Sequence, residues 1–84
     1  MEKQWVVYIL ECRDGTLYTG ITDDLDKRLK AHNSGRGAKY TRGRGPVELR
    51  YREFSDGHSA ALRREVEIKR LSREQKRNLI GENY

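Results

Sequence analysis

The sequence predicts an α/β (α+β) domain in which about three helices flank a three-stranded antiparallel sheet, in the order β-β-α-loop-β-α-α. Short runs rich in β-branched and aromatic residues, at 5–10, 17–21 and 47–54, indicate the strands. Capping residues followed by apolar positions at helical spacing indicate the helices. A chain of 84 residues is the size of one domain, 1–84, with a core only just large enough to fold by itself.

The first two strands are joined by a turn at 13–16, where Asp-Gly tolerates the positive φ of a hairpin. Gly20, inside the second strand, predicts a bulge or a close approach by another backbone or a ligand. The length of the turn decides where two tyrosines lie, because one step of register moves a side chain to the other face. A two-residue turn would separate Tyr8 and Tyr18. We predict a three-residue turn at 13–15, or an equivalent bulge, which places both phenols on one face.

The three helices have recognisable ends. The first runs to about Asn33 and stops at Gly35, after an N-cap and acidic residues supplied by Thr22, Asp23 and Asp24. The second is predicted at 59–71. The third begins at a capping-box pattern, 72–75, and ends at Gly81.

Between the first helix and the third strand lies a glycine-rich loop, 34–46, with four cations and no acid. The third strand, 47–54, alternates apolar and polar residues. This alternation predicts that Val47, Leu49 and Tyr51 share one face of the strand.

The composition favours an anionic partner. The net charge is +5 and the isoelectric point is about 9.6, which favours nucleic acid first and a membrane surface second, while solubility alone also explains the charge. The single Cys12 excludes an internal disulfide and a multi-cysteine zinc site. The longest apolar run, 5–10, is far below the roughly 18 residues of a membrane span, and no signal peptide is visible. We therefore expect a cytoplasmic protein that does not enter a membrane.

The loop 34–46 is the candidate surface for nucleic acid. Glycines let backbone N–H groups approach a phosphate, cations neutralise the phosphate, and an aromatic ring stacks on a base. A solvated, flexible loop is the alternative. The residues that we expect to bind nucleic acid are Arg36, Lys39, Tyr40, Arg42 and Arg44.

Two side chains of the first helix, Arg28 and His32, are four residues apart and share a face. At about 100° per residue, His32 lies between Leu25 and Leu29, and Arg28 lies at the edge of that apolar stripe. Two explanations stay open: a pair of site residues, or a core-edge histidine beside an arginine whose stem covers apolar surface.

An acid is predicted on the apolar side of the second helix. Glu65 falls inside the arc defined by Ala61, Leu62, Val66 and Ile68, whereas Glu67 falls on the solvent side. A carboxylate in apolar surroundings needs a partner, because burying it unpaired is costly. Two partners stay open: Lys69, four residues further on, and a divalent metal ion, since carboxylate and water oxygens suit Mg²⁺ or Mn²⁺.

The joint order of these residues resembles the GIY-YIG nuclease superfamily, and more closely its small single-domain bacterial members of the UPF0213 type. The likeness runs from the first strand to the third helix. Val6-Val7-Tyr8 occupies the GIY position and Tyr18-Thr19-Gly20 the YIG position. Arg28 and His32 lie in the helix that follows, and Glu65 matches the metal-binding glutamate of the family. Val6 and Thr19 depart from the glycine and the isoleucine of the two motifs.

The resemblance implies a small GIY-YIG-like domain and a metal-dependent endonuclease that hydrolyses phosphodiester bonds. It implies DNA rather than RNA as substrate, with single-stranded and branched DNA among the candidates. By the same resemblance Tyr8 would be the general base or its orienter, Tyr18 a second active-site phenol and Arg28 the phosphate clamp. His32 could relay the proton, and Glu65 would be the only protein ligand of one Mg²⁺ or Mn²⁺ ion. Two alternatives stay open: a nucleic-acid-binding module without turnover, and a nuclease that depends on a protein partner for specificity.

Overall fold

The computed structural model describes residues 4–38 and 41–81. Strands β1 (Trp5–Glu11), β2 (Leu17–Thr22) and β3 (Glu48–Ser55) form one antiparallel sheet in the order β2-β1-β3. The helices are α1 (Leu25–Asn33), α2 (His58–Lys69) and α3 (Arg73–Ile80). The predicted fold class and order of elements are confirmed. In the described ranges, no helix is long and apolar enough to cross a membrane.

The β1–β2 turn has the predicted length of three residues. Cys12 N–H donates to the carbonyl oxygen of Thr16 at 2.8 Å, which leaves residues 13–15 as the turn. In this register Tyr8 lies opposite Gly20. Tyr18 lies two residues before Gly20, and side chains two residues apart share a face of a strand. Tyr8 and Tyr18 therefore lie on the same face of the sheet, as predicted.

A β-bulge in β3 overturns one prediction. Neighbouring residues of β1 lie opposite Tyr51 and Leu49, so Arg50 is an extra residue in β3. The bulge moves the residues before Arg50 to the other face. Val47 and Leu49 pack on one side of the sheet and Tyr51 on the other, so the predicted common face of these three residues is wrong.

Apolar clusters lie on both sides of the sheet. On the side covered by α2 and α3, the buried residues are Val7, Ile9, Ala61 and Ile68. On the side covered by α1 and the segment before β3, they are Tyr8, Leu10, Cys12 and Val47. Tyr8, the central residue of the candidate site, is thus a core residue of the second cluster.

The buried face of α2 differs in part from the predicted arc. Ala61 and Ile68 are buried, but Leu62 and Val66 are 42% and 46% exposed. The buried stripe runs through positions 61, 65 and 68, and the two exposed residues lie roughly 90° and 130° from its centre around the helix. Glu65 keeps its predicted place on the side that faces the sheet, with a side chain only 17% exposed.

Candidate active site

Tyr8 lies at the centre of the candidate site, with a fully buried side chain. Its phenol extends over Gly20 on the edge strand β2. A Cβ atom added at Gly20 would lie 2.6 Å from Tyr8 Oη and 3.0 Å from the ring of Tyr18, so only glycine leaves room for both rings. The close approach predicted at Gly20 is present, but a side chain makes it rather than a backbone or a ligand. The strand irregularity lies in β3 instead.

A chain of buried hydrogen bonds extends inward from Tyr8. Tyr8 Oη is 3.0 Å from His32 Nε2, and His32 Nδ1 is 2.7 Å from Thr41 Oγ1. The Thr41 hydroxyl donates its one proton to the carbonyl oxygen of Ala38 at 3.0 Å. It must therefore accept from His32 Nδ1–H, which leaves Nε2 of the neutral ring to accept from the Tyr8 hydroxyl.

The residues around His32 hold the ring in this position. His32 lies in the last turn of α1 and is 1% exposed. The loop after the helix passes close to it, because a Cβ atom at Gly37 would lie 2.7 Å from His32 Cα. Thr41 is also 1% exposed, although it lies in a segment rich in glycine and arginine.

Sequence reasoning missed Thr41. Hydrophobic periodicity carries no information about a threonine in an irregular loop. One signal was available: a buried histidine that bonds through one ring nitrogen needs a second partner for the other. A hydroxyl from the adjoining loop satisfies that requirement.

Arg28 and Tyr18 complete the group on this face of the sheet. A hydrogen bond with Tyr8 is the main cause of a raised pKa of Arg28, and the Tyr18 phenol contributes in the same direction. The Tyr18 ring centroid lies 5.3 Å from that of His32 and 6.4 Å from that of Tyr8. The structure therefore brings Tyr8, Tyr18, Arg28 and His32 together.

Burial sets the protonation of the two central groups. Burial raises the pKa of Tyr8 above its ordinary value of 10.0, although the hydrogen bond from Arg28 acts against this. Burial, followed by the charge of Arg28, lowers the pKa of His32 below 6.5. At neutral pH both are uncharged, which is the state in which a phenol donates to an imidazole nitrogen.

Glu65 approaches the same group of residues from α2. Its charge contributes to the raised pKa of Tyr8, after burial and the effects of Tyr18. Glu65 Oε2 is 3.3 Å from Lys69 Nζ, so the ion pair with Lys69, one of the two predicted alternatives, is present. Glu67 lies in solvent, as predicted, and pairs with Arg64 at 3.0 Å.

The donor set fits a metal held by a single protein carboxylate. Among the described residues no group of three or more His, Cys, Asp or Glu side chains could form a metal cage. One carboxylate, with water and phosphate oxygens as further ligands, is a common way to bind Mg²⁺. The Glu65 side chain is partly exposed, and it is near enough to Tyr8 for its charge to raise the pKa of that phenol. It can therefore contribute such an oxygen.

The predicted cations of the loop have different surroundings. Arg44 Nη1 pairs with Asp14 Oδ2 at 2.6 Å, and the Arg44 carbonyl oxygen accepts from Arg13 N–H at 2.8 Å, which anchors the loop to the hairpin turn. Arg36 Nε donates to Ser34 Oγ at 3.2 Å. Arg42 is exposed. The remaining two predicted residues, Lys39 and Tyr40, lie outside the described residues.

Comparisons with known proteins show the family of this chain. Residues 4–78 match the family model described as the GIY-YIG catalytic domain. A UPF0213 protein of Clostridium perfringens is 57% identical over 84 residues, covering 93% of this chain and 90% of that protein. A UPF0213 protein of Halobacterium salinarum is 59% identical over 74 residues, covering 88% of this chain and 96% of that protein.

Solved structures show the same fold. The solution NMR structure of a UPF0213 protein from Bacillus halodurans superimposes with a TM-score of 0.60 at 50% identity, covering 95% of this chain and 85% of that chain. The solution NMR structure of a protein from E. faecalis gives a TM-score of 0.66 at 39% identity, with the same coverage of each chain.

Proposed function

The chain belongs to the UPF0213 group of GIY-YIG domain proteins, and on that premise we propose that it is a metal-dependent nuclease that hydrolyses phosphodiester bonds in DNA. GIY-YIG domains are typical of endonucleases and act on nucleic acids, so the general class follows from the family. The observation that carries the proposal is the buried hydrogen bond between Tyr8 and His32, with Arg28 beside it. If Tyr8 and His32 had only packing roles, they would not require Arg28 beside them.

Hydrolysis of a phosphodiester needs a nucleophile in line with the leaving oxygen and neutralisation of charge on the non-bridging oxygens. Arg28 supplies the second requirement, because a guanidinium presents two parallel N–H donors to a phosphate. Its position beside both phenols brings the bound phosphate to the residues that handle the proton of the attacking water.

Tyr8 and His32 act as one proton acceptor. A buried, neutral phenol is a poor base by itself, since its pKa is raised. Its hydroxyl already donates to His32 Nε2, so Tyr8 Oη takes a proton from water as its own proton passes to Nε2. The products are an attacking hydroxide and a protonated imidazole, whose Nδ1–H stays bonded to Thr41. Tyr18, whose ring lies against both groups, orients the water or the phosphate.

Glu65 would hold the divalent ion, Mg²⁺ or Mn²⁺. A bound ion supplies charge neutralisation on the phosphate and on the leaving oxygen. To hold the ion, the Glu65 carboxylate would give up its contact with Lys69, and both side chains are exposed enough for them to separate.

The substrate is held by cations outside this centre. Arg36, Arg42 and Arg44 of the loop, with Lys39 and Tyr40 between them in sequence, bind the nucleic acid under this proposal. Under the same proposal, a protein partner or the shape of the DNA supplies the sequence or structure preference.

The test is a cleavage assay with labelled single-stranded, duplex and branched DNA and single-stranded RNA, each with Mg²⁺, Mn²⁺ or EDTA. We expect cleavage of at least one DNA form with either metal and none with EDTA. Protein that binds these nucleic acids and cleaves none of them would be a binding module or would need its partner, and the stand-alone nuclease would be rejected.

A further inference from the structure

The edge strand β2 borders a second surface, on the side of α2 and α3. A groove of about 400 Å³ lies there, lined by Leu17, Tyr18, Thr19, Lys69 and Lys76. A smaller groove of about 170 Å³ continues from it, lined by Thr16, Leu17, Arg73 and Lys76. Because they share Leu17 and Lys76, the two form one continuous track, which we name the β2-edge groove. Its lining includes Tyr18, a residue of the candidate active site.

The charge of the β2-edge groove has one sign. Its lining includes Lys69, Arg73 and Lys76 and no acid. Lys69 pairs with Glu65, but neither Arg73 nor Lys76 forms an ion pair with any residue between 4 and 38 or between 41 and 81. Other cations of the sheet and of α2, such as Arg50 and Arg64, are held by glutamates. Two cations beside a concave surface are therefore available to an anion.

A buried hydroxyl in the lining lacks a partner. Thr19 is 3% exposed, and its Oγ1 has no hydrogen bond in the part of the chain that the structure describes. A buried polar atom of this kind is unusual and calls for an unseen water or ligand. Thr19 is one of the residues that line the larger groove.

We propose that the β2-edge groove binds the phosphates of a single nucleic-acid strand, next to the phosphate held by Arg28. A positively charged groove that follows the phosphate backbone is the usual arrangement for single-strand binding. The larger groove, about 400 Å³, falls within the usual range of ligand-binding clefts, about 300–1,000 Å³. The position next to the cleaved bond rests on the proposed function, whereas binding in the groove does not.

The test compares two double variants that each remove two positive charges. Arg73→Gln with Lys76→Gln changes the groove. Arg52→Gln with Arg63→Gln is the control, because Arg52 lies on β3 at the opposite edge of the sheet and Arg63 on the exposed face of α2. Affinity for a fluorescent dT 15-mer is measured by anisotropy in EDTA over a range of salt, with a U 15-mer and a 15-base-pair duplex as further probes.

We expect the groove variant to weaken binding of the dT 15-mer about five- to tenfold and to flatten the log–log salt dependence by about 1.4, or about 0.7 for each lost phosphate contact. The control should change both much less, and the loss should be larger for the dT 15-mer than for the duplex. Comparable affinity for the U 15-mer would assign the groove to the backbone of either nucleic acid. Equal effects of the two double variants would overturn the proposal.

A second measurement needs no variant. Titrating the wild-type protein with the dT 15-mer in EDTA should shift the amide NMR signals of Leu17, Thr19 and Lys76. Shifts confined to other parts of the chain would overturn the groove. Shifts in the groove without cleavage in any metal would retain it and reject the nuclease, while cleavage without these shifts would do the reverse.

Discussion

At the scale of single residues, the hydroxyl of Thr41 decides which nitrogen of His32 carries the proton. The Thr41 hydroxyl donates its hydrogen bond to the carbonyl oxygen of Ala38, so its oxygen can only accept from Nδ1–H of His32. Nε2 then has a free lone pair for Tyr8. Through its bond to His32, Thr41 thereby sets the direction of the Tyr8–His32 hydrogen bond.

Thr41→Val should expose this dependence, because it keeps the shape of the side chain and removes the hydroxyl. The buried Nδ1–H and the Ala38 carbonyl lose their partner, which should lower the free energy of unfolding by about 1–3 kcal/mol. In ¹⁵N NMR of the imidazole, the wild type should show the Nδ1–H tautomer and Thr41→Val a mixture. Thr41→Ser, which restores the hydroxyl, should return the wild-type spectrum. An unchanged tautomer in Thr41→Val would show that the threonine serves packing alone.

Tyr8→Phe tests the proton step itself. The ring and its packing over Gly20 remain, but the hydroxyl that bonds His32 is lost. Turnover should fall by about 10²- to 10⁴-fold while affinity for the nucleic acid changes little. Arg28→Lys should also impair turnover, because an ammonium keeps the charge but not the two parallel donors. Full turnover by Tyr8→Phe would remove the phenol from the mechanism.

At the scale of elements, α2 carries two glutamates with different surroundings two residues apart. The Glu65 side chain is 17% exposed and faces the sheet, and the Glu67 side chain is 64% exposed and pairs with Arg64. Substituting Glu65 and Glu67 in turn therefore distinguishes a metal ligand from an acid that only forms an ion pair on the helix surface.

Glu65→Gln should abolish metal-dependent cleavage and leave nucleic-acid binding in EDTA largely intact, because the amide keeps the shape but is a poor metal ligand. Glu67→Gln should leave cleavage unchanged and lower the free energy of unfolding by at most about 0.5 kcal/mol, the value of an exposed helical ion pair. Cleavage rates at several Mg²⁺ concentrations, together with thermal unfolding, check both. Equal rates for wild type and Glu65→Gln would leave the acid a purely structural role with Lys69.

The elements also show where sequence reasoning stops. A local signal predicted the capping box of α3, in which Ser72 and Gln75 bond as expected. The three-residue turn of the hairpin was predicted from the requirement that Tyr8 and Tyr18 share one face, and the register confirms it. The bulge at Arg50 was not predictable, because alternation along one strand says nothing about an extra residue relative to its neighbour. The exposure of Leu62 and Val66 was not predicted for a similar reason. Periodicity gives an apolar arc, but packing against the sheet decides which part of that arc is buried.

At the scale of the whole molecule, the buried site links stability to pH. The pKa of His32 is lowered in the folded state, chiefly by burial. As pH falls below the ordinary value of 6.5, the unfolded chain takes up a proton that the folded chain does not, so the free energy of unfolding decreases. This contribution is complete above pH 6.5 and is lost as pH falls toward the lowered pKa.

Chemical denaturation between pH 7 and pH 5 should therefore show a decreasing free energy of unfolding. The window lies above the range near pH 4 where carboxyl groups in unfolded chains take up protons. His32→Gln should remove this slope, and His58→Gln, which changes the other histidine, should keep it. Parallel slopes for wild type and His32→Gln would mean that another group titrates.

Side chains at positions 8 and 20 compete for the same space above β2. The Tyr8 phenol occupies the space that a side chain at position 20 would fill, and it occupies it from the neighbouring strand. Positions 8 and 20 therefore form a complementary pair, in which one residue can gain atoms only if the other loses them. Gly20→Ala should destabilise the wild type and be tolerated far better when Tyr8 is replaced by alanine, so the two substitutions should be non-additive in a double-mutant cycle. Gly20 weakens β2, but only a glycine at this position lets the Tyr8 phenol reach the edge of the sheet.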